Sequence, residues 1–190
     1  GFDSMTIVGA DMAGNFATPL QADAYVYGEM YRDGGTPITT FRMVDIRRTG
    51  LSGWLTVQGQ PGDPPRTFAD RVVDSLENQE RVARYAKECN MRRDRSEFRR
   101  ARQAAERAFE MYPNHPTTAQ CMNYVFQGMQ APEDSVLWVL EKWTRGDSLN
   151  LRAWADLARA AQRAGDTTRA VTAVTQQLAA DPADTNLRYA

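Results

Sequence analysis

The 190-residue chain has one histidine, two lysines and two cysteines, and each scarcity removes a class of chemistry. With His115 alone, a Ser-His-Asp triad could be built only around that residue, and a multi-histidine metal site is unavailable. His115 stands in Pro-Asn-His-Pro, a turn between helical stretches, which predicts a solvent-exposed imidazole. Cys89 and Cys121 have neither Cys-x-x-Cys spacing nor a neighbouring histidine, and both fall inside helical patterns. Two buried free thiols are the default expectation for them, with a disulfide as the alternative. No apolar run approaches the roughly 20 residues that a membrane-spanning helix needs, so only peripheral association with a bilayer stays open. The net charge of -1 supplies no global field toward nucleic acid or anionic lipid, so any electrostatic recognition must be local. "GADMAG", Gly9 to Gly14, lacks the middle glycine of a dinucleotide fingerprint and the Lys-Ser/Thr of a phosphate loop. No cofactor and no enzymatic activity are therefore expected. Gly1 in place of Met fits an exported chain and a cytoplasmic one equally, and leaves the compartment open.

What is present divides in two. Ten of the 13 glycines lie at or before Gly62, and beyond Pro65 the chain turns rich in Ala, Arg, Glu and Gln. The Pro/Gly cluster from Pro61 to Pro65 interrupts both helix and strand. Ahead of it, "DAYVYGEMYR" places Tyr25, Tyr27 and Tyr31 on one strand face with Val26 and Met30 on the other, and "DGGTP" makes the turn of a hairpin. "ITTFRMVDIRR" returns, with Phe41 and Met43 alternating against Val44 and Ile46, and "WLTVQGQ" supplies a third strand. "MTIV" is a candidate fourth. The expected organisation is an extended arm over 1–22, a small antiparallel β meander over 23–66 and a helical domain over 67–190.

In that domain Thr67 with Asp70 reads as a capping box opening a helix through about Asn90, and Ser96 with Glu97 as the start of a second that Pro113 stops. Four more helical lengths follow, joined by short turns. A 34-residue window from Leu151 holds Trp154, Leu157, Ala158, Ala161, Gly165, Ala170, Val174 and Pro182 at places 4, 7, 8, 11, 15, 20, 24 and 32. This pattern resembles the tetratricopeptide repeat (TPR): small residues let two antiparallel helices approach, bulky ones fill between them, Gly turns the chain and Pro ends the second helix. Ala161 and Gln177 depart from it. The window from Thr117 is degenerate, keeping Val136 and Leu140 but departing at Gln120, Asn123 and Trp143. Ala101, Ala105, Ala108 and Pro113 close a third, earlier one. The resemblance covers about 81–182 and implies a mostly α, right-handed solenoid of about three helical hairpins that recognises protein or peptide without chemistry.

In that family the first helix of each repeat lines the binding face. The resemblance therefore assigns Arg152, Arg159 and Arg163 to a groove for an acidic segment or a C-terminal carboxylate, although the family's Lys/Asn clamp across repeats is not reproduced. Between Arg81 and Arg107, ten basic residues against four acidic ones give a local +6, with Arg92, Arg93, Arg95, Arg99 and Arg100 at its centre. This patch suits a polyanion, nucleic acid or an anionic surface, or else is a solvated face crossed by ion pairs. Val171, Val174 and Leu178 would form an apolar end of the stack, uncovered by the short segment after Pro182 and open to a partner. The function these features imply is a protein–protein interaction module, serving as a structural or assembly subunit or an adaptor; the alternative is the polyanion binder.

Overall fold

The computed structural model describes residues 19–22, 24–45 and 55–181; the candidate strand "MTIV", most of the arm and the segment after Asp181 lie outside them. The chain groups into two compact units, Gly1–Gln79 and Glu80–Ala190.

The first unit carries a three-stranded antiparallel sheet, β1 (Ala24–Asp33), β2 (Thr36–Asp45) and β3 (Leu55–Gln58), in that order. Gly34 and Gly35, with φ of 55° and 85°, form the two-residue turn that pairs Asp33 with Thr36. Positive φ at both turn residues matches the strand twist and is nearly free only for glycine. Ile38, Phe41 and Leu55 are buried on this sheet. Phe68 is buried too, at the start of α1 (Pro65–Asp94). That helix begins at Pro65, ahead of the expected Thr67 capping box. Proline's missing N–H is tolerated in a first turn, where no intrahelical partner exists for it, and its fixed φ suits the helix. The helix also runs past Asn90, to Asp94.

The second unit is a stack of short antiparallel helices: α2 (Phe98–Met111), α3 (Pro116–Gly128), α4 (Glu133–Gly146), α5 (Leu151–Arg163) and α6 (Thr167–Ala180), preceded by the C-terminal half of α1. This is the TPR-like helical-hairpin architecture that the repeat pattern predicts. The helix starts are set locally. Asn150 Oδ1 accepts from the Ala153 N–H at 3.1 Å, and Asp166 Oδ1 from Arg169 at 2.9 Å. Each satisfies one of the orphan donors of a first helical turn. Gly165, at φ 75°, turns α5 into α6. Helix α2 begins one residue after Glu97, which makes no side-chain cap, while Ser96 sits in the left-handed region at φ 58°. The expected Ser96 cap is thus a turn residue.

The core runs through the second unit as one cluster. Ala101, Ala105, Ala119, Ala153 and Ala161 are fully buried where helices approach, and Met122, Leu137, Leu140 and Leu157 fill between them. Trp143, a departure from the repeat pattern, is 2% exposed and contributes bulk to the same core. Gly146 is required by a close approach: a Cβ there would lie 1.8 Å from the Asn114 carbonyl oxygen.

Two expectations are corrected in this unit. Cys89 and Cys121 are not free thiols but a disulfide linking α1 to α3, with Cα atoms 6.3 Å apart. Helical phase alone could not place the two thiols together, because the pairing depends on how α1 lies on α3. His115 is not exposed. It is 2% accessible and caps α3, its Nδ1 accepting from the Thr118 N–H at 3.3 Å and lying 2.9 Å from Thr118 Oγ1. Burial pushes its pKa down to about 3, so the ring is neutral in neutral solution.

Candidate functional site

The first helices of the three successive hairpins are α1, α3 and α5. Tyr124 of α3 stands between guanidinium groups from its two neighbours. Arg93 of α1 lies 5.1 Å from the ring centroid and Arg152 of α5 lies 5.8 Å from it, and Arg152 also donates to the phenolic oxygen. Guanidinium groups are held by the negative face of an aromatic ring at such distances. Farther along α5, Arg152 and Arg159 both pair with Asp156, the former at 3.9 Å. One carboxylate therefore serves two exposed arginines, and this surface retains positive charge. Arg93 is less accessible, with a side-chain exposure of 25%, and is paired with Asp94 at 2.7 Å.

Of the three arginines assigned to the groove, Arg152 and Arg159 are brought together at Asp156. Arg163 is directed elsewhere: its Nη2 lies 2.6 Å from Glu133 at the start of α4. Tyr124 and Asp156 were not singled out from the sequence. A signal existed for the tyrosine: it fills place 8 of the second window, where the last repeat has Ala158. A bulky residue at a position that normally allows close helix approach needs space and partners of its own.

The Arg81–Arg107 stretch is crossed by ion pairs. Arg92 and Arg100 both contact Glu97, at 2.8 and 3.3 Å, Arg93 pairs with Asp94, and Arg102 with Glu106 at 2.7 Å. The hydrogen bond from Arg92, together with that from Arg100, holds the Glu97 carboxyl below the usual range against its desolvation. Arg95 and Arg99 are exposed. An open groove of about 620 Å³ runs between α1 and α2, lined by Arg81, Arg84, Tyr85, Glu88 and Met111. It adjoins a narrower one of about 200 Å³ that includes Glu88, Arg92, Arg100 and Arg107. Arginines from both helices line these grooves.

At the other end of the stack, Val171 is 61% exposed while Val174 packs against the core and Leu178 is half-buried. In the first unit an apolar groove of about 540 Å³ is lined by Met30, Tyr31, Pro37, Phe68 and Val72 among others. Trp138 packs edge-on against Phe109, and Lys142 lies over both rings. Burial lowers the Lys142 pKa, and its ammonium donates to the Pro113 carbonyl at 3.1 Å. Among the described residues no group of three or more His, Cys, Asp or Glu side chains could hold a metal ion, and no helix is long and apolar enough to cross a membrane.

No protein-family model and no curated protein matches this chain. Solved structures similar to it include that of the MamA protein, at 19% identity and a TM-score of 0.49 over 58% of this chain. The match spans 60% of the MamA chain. The first TPR of Spaghetti (RPAP3), bound to an HSP90 peptide, matches at 8% identity and a TM-score of 0.48, covering 58% of this chain and 86% of that one. The N-terminal domain of stress-induced protein-1 from C. elegans matches at 19% identity and a TM-score of 0.49, over 59% of this chain and 92% of that domain.

Proposed function

We propose that the protein is a non-catalytic protein–protein interaction module, a structural or assembly subunit or an adaptor within a larger complex, and that its stack receives an acidic segment of a partner on the α1–α3–α5 face. The observation that carries this reading is the Arg93–Tyr124–Arg152 contact, which joins the first helices of all three hairpins in one cationic, aromatic-centred surface. Arg159 extends it. A carboxylate arriving there can accept charge-assisted hydrogen bonds from Arg152 and Arg159, which share a single internal counter-ion. The N-terminal β unit, with the groove beside Met30 and Phe68, offers a second contact surface.

The test is fluorescence anisotropy with a labelled acidic peptide, comparing the wild type with Arg152→Glu and Tyr124→Ala. Reversing a charge that hydrogen-bonds the ligand is expected to weaken binding at least tenfold, since such bonds contribute about 1.5–3 kcal/mol. Unchanged affinity in Arg152→Glu would remove the face from consideration.

A second reading, binding of nucleic acid or an anionic surface, draws on the α1–α2 groove with Arg81, Arg84, Arg92, Arg100 and Arg107 along it. The internal pairs to Glu88 and Glu97 reduce the charge available to a polyanion. Filter binding at two salt concentrations decides it, because phosphate contacts make affinity fall steeply with salt.

A further inference from the structure

The acidic-segment site depends on where α1 lies, and a covalent bond ties that half-helix to α3. Among the described residues, Cys89 is the one member of α1 in the buried core that α2 to α6 share; Val82 and Ala86, though buried, lie outside it. Arginines line the open groove between α1 and α2, and the Cys89–Cys121 bond, fully buried at both ends, ties α1 directly to α3. Arg93 follows Cys89 by four residues and Tyr124 follows Cys121 by three, which on helices is about one turn in each case. The covalent bridge and the Arg93–Tyr124 contact are therefore neighbouring rungs of the same α1–α3 approach.

We infer that the Cys89–Cys121 disulfide is a positioning brace for the partner site: it sets α1 against α3 so that Arg93 meets Tyr124 and the cationic face is complete only in the oxidised chain. This rests on the acidic-segment reading of that face. Closing the brace forms one S–S bond from two thiols, which lose two electrons and two protons to a two-electron oxidant such as a disulfide; the oxidant leaves as its dithiol. A disulfide of this kind persists where thiols are kept oxidised, so the binding-competent form belongs to an oxidising environment.

The experiment uses the full chain, oxidised, then with the disulfide reduced and both thiols alkylated, and separately as the Cys89→Ala/Cys121→Ala variant. Helical content is followed by far-ultraviolet circular dichroism and affinity by anisotropy with fluorescein-labelled hexaglutamate. The Arg93 side-chain resonance, shifted by the Tyr124 ring, is followed by NMR. Opening the bond is expected to leave α2 to α6 folded, to return the Arg93 resonance to its open-chain position and to weaken peptide binding about tenfold. Arg93→Gln should weaken the oxidised chain equally, and combining it with the open bond should add nothing, because both remove one contact.

An Arg93 resonance that does not move, or an additive loss in the combined variant, overturns the brace. So does general loss of helicity in both opened forms, since the bond would then hold the whole stack and not α1 alone. If the oxidised chain fails to bind hexaglutamate, the acidic-segment reading falls, and the Arg93 resonance still decides whether the bond positions α1.

Discussion

Acidification should destabilise the helical stack through one residue. His115 is buried and neutral, with a pKa of about 3 in the folded chain, whereas an unfolded chain titrates near 6.5. Below that value the unfolded state binds a proton that the folded state refuses. The stability associated with the neutral imidazole is thus fully present above about pH 6.5 and is lost as pH falls toward 3, at up to about 1.4 kcal/mol per pH unit. Between about pH 7.5 and 4.5 the loss is about 2–3 kcal/mol, a large share of a typical domain's stability. Carboxylates of the unfolded chain also titrate as the pH falls, so the control matters. Asn in place of His115 keeps an oxygen able to accept from the Thr118 N–H, and it does not titrate. Urea unfolding of wild type and His115→Asn at several pH values isolates the imidazole in the difference between the two curves. The variant is expected to be weaker at neutral pH, and the gap should close by about 2–3 kcal/mol on acidification. A gap constant to within about 0.5 kcal/mol would show that the imidazole is not held neutral, and would refute the burial argument.

Further substitutions probe the packing and one helix cap. Gly146→Ala should cost about 1–3 kcal/mol, because its methyl would meet the rigid Asn114 carbonyl at 1.8 Å. Gly128→Ala, whose methyl would meet the Phe98 ring at 2.4 Å, should cost less, since a side chain can move aside; the reverse order in thermal melts would contradict this. Asp166→Ala removes the cap of α6 and should cost about 1 kcal/mol by urea titration, while Asp166→Asn should restore most of it. Leu140→Ala, in a site 1% exposed, should cost about 2–5 kcal/mol; a loss below about 1 kcal/mol would mean that the core closes over the deletion.

Much of this architecture could be read residue by residue because its causes are local. The two glycines after Asp33 dictate a tight hairpin, and Asn150 and Asp166 open helices whose orphan N–H groups they satisfy. Ala158 and Ala170, small residues at places 8 and 20 of the last window, announce helices that pack closely. What needed the folded chain was every feature made by residues remote in sequence. Cys89 and Cys121, separated by 32 positions, lie within bonding distance only once α1 crosses α3. His115 reads as a polar residue in a turn, yet the turn itself is covered, with Gly146 of α4 against the neighbouring Asn114.

The candidate site follows the same division. Arg152 and Arg159 could be placed on one face of α5 from their spacing alone, but periodicity is blind to Asp156 as their shared counter-ion and to the phenol between Arg152 and Arg93. Helical phase specifies which side of its own helix a residue occupies. Which residue of another helix it meets is a property of how the helices stack, and burial, charge pairing and the disulfide are all decided there.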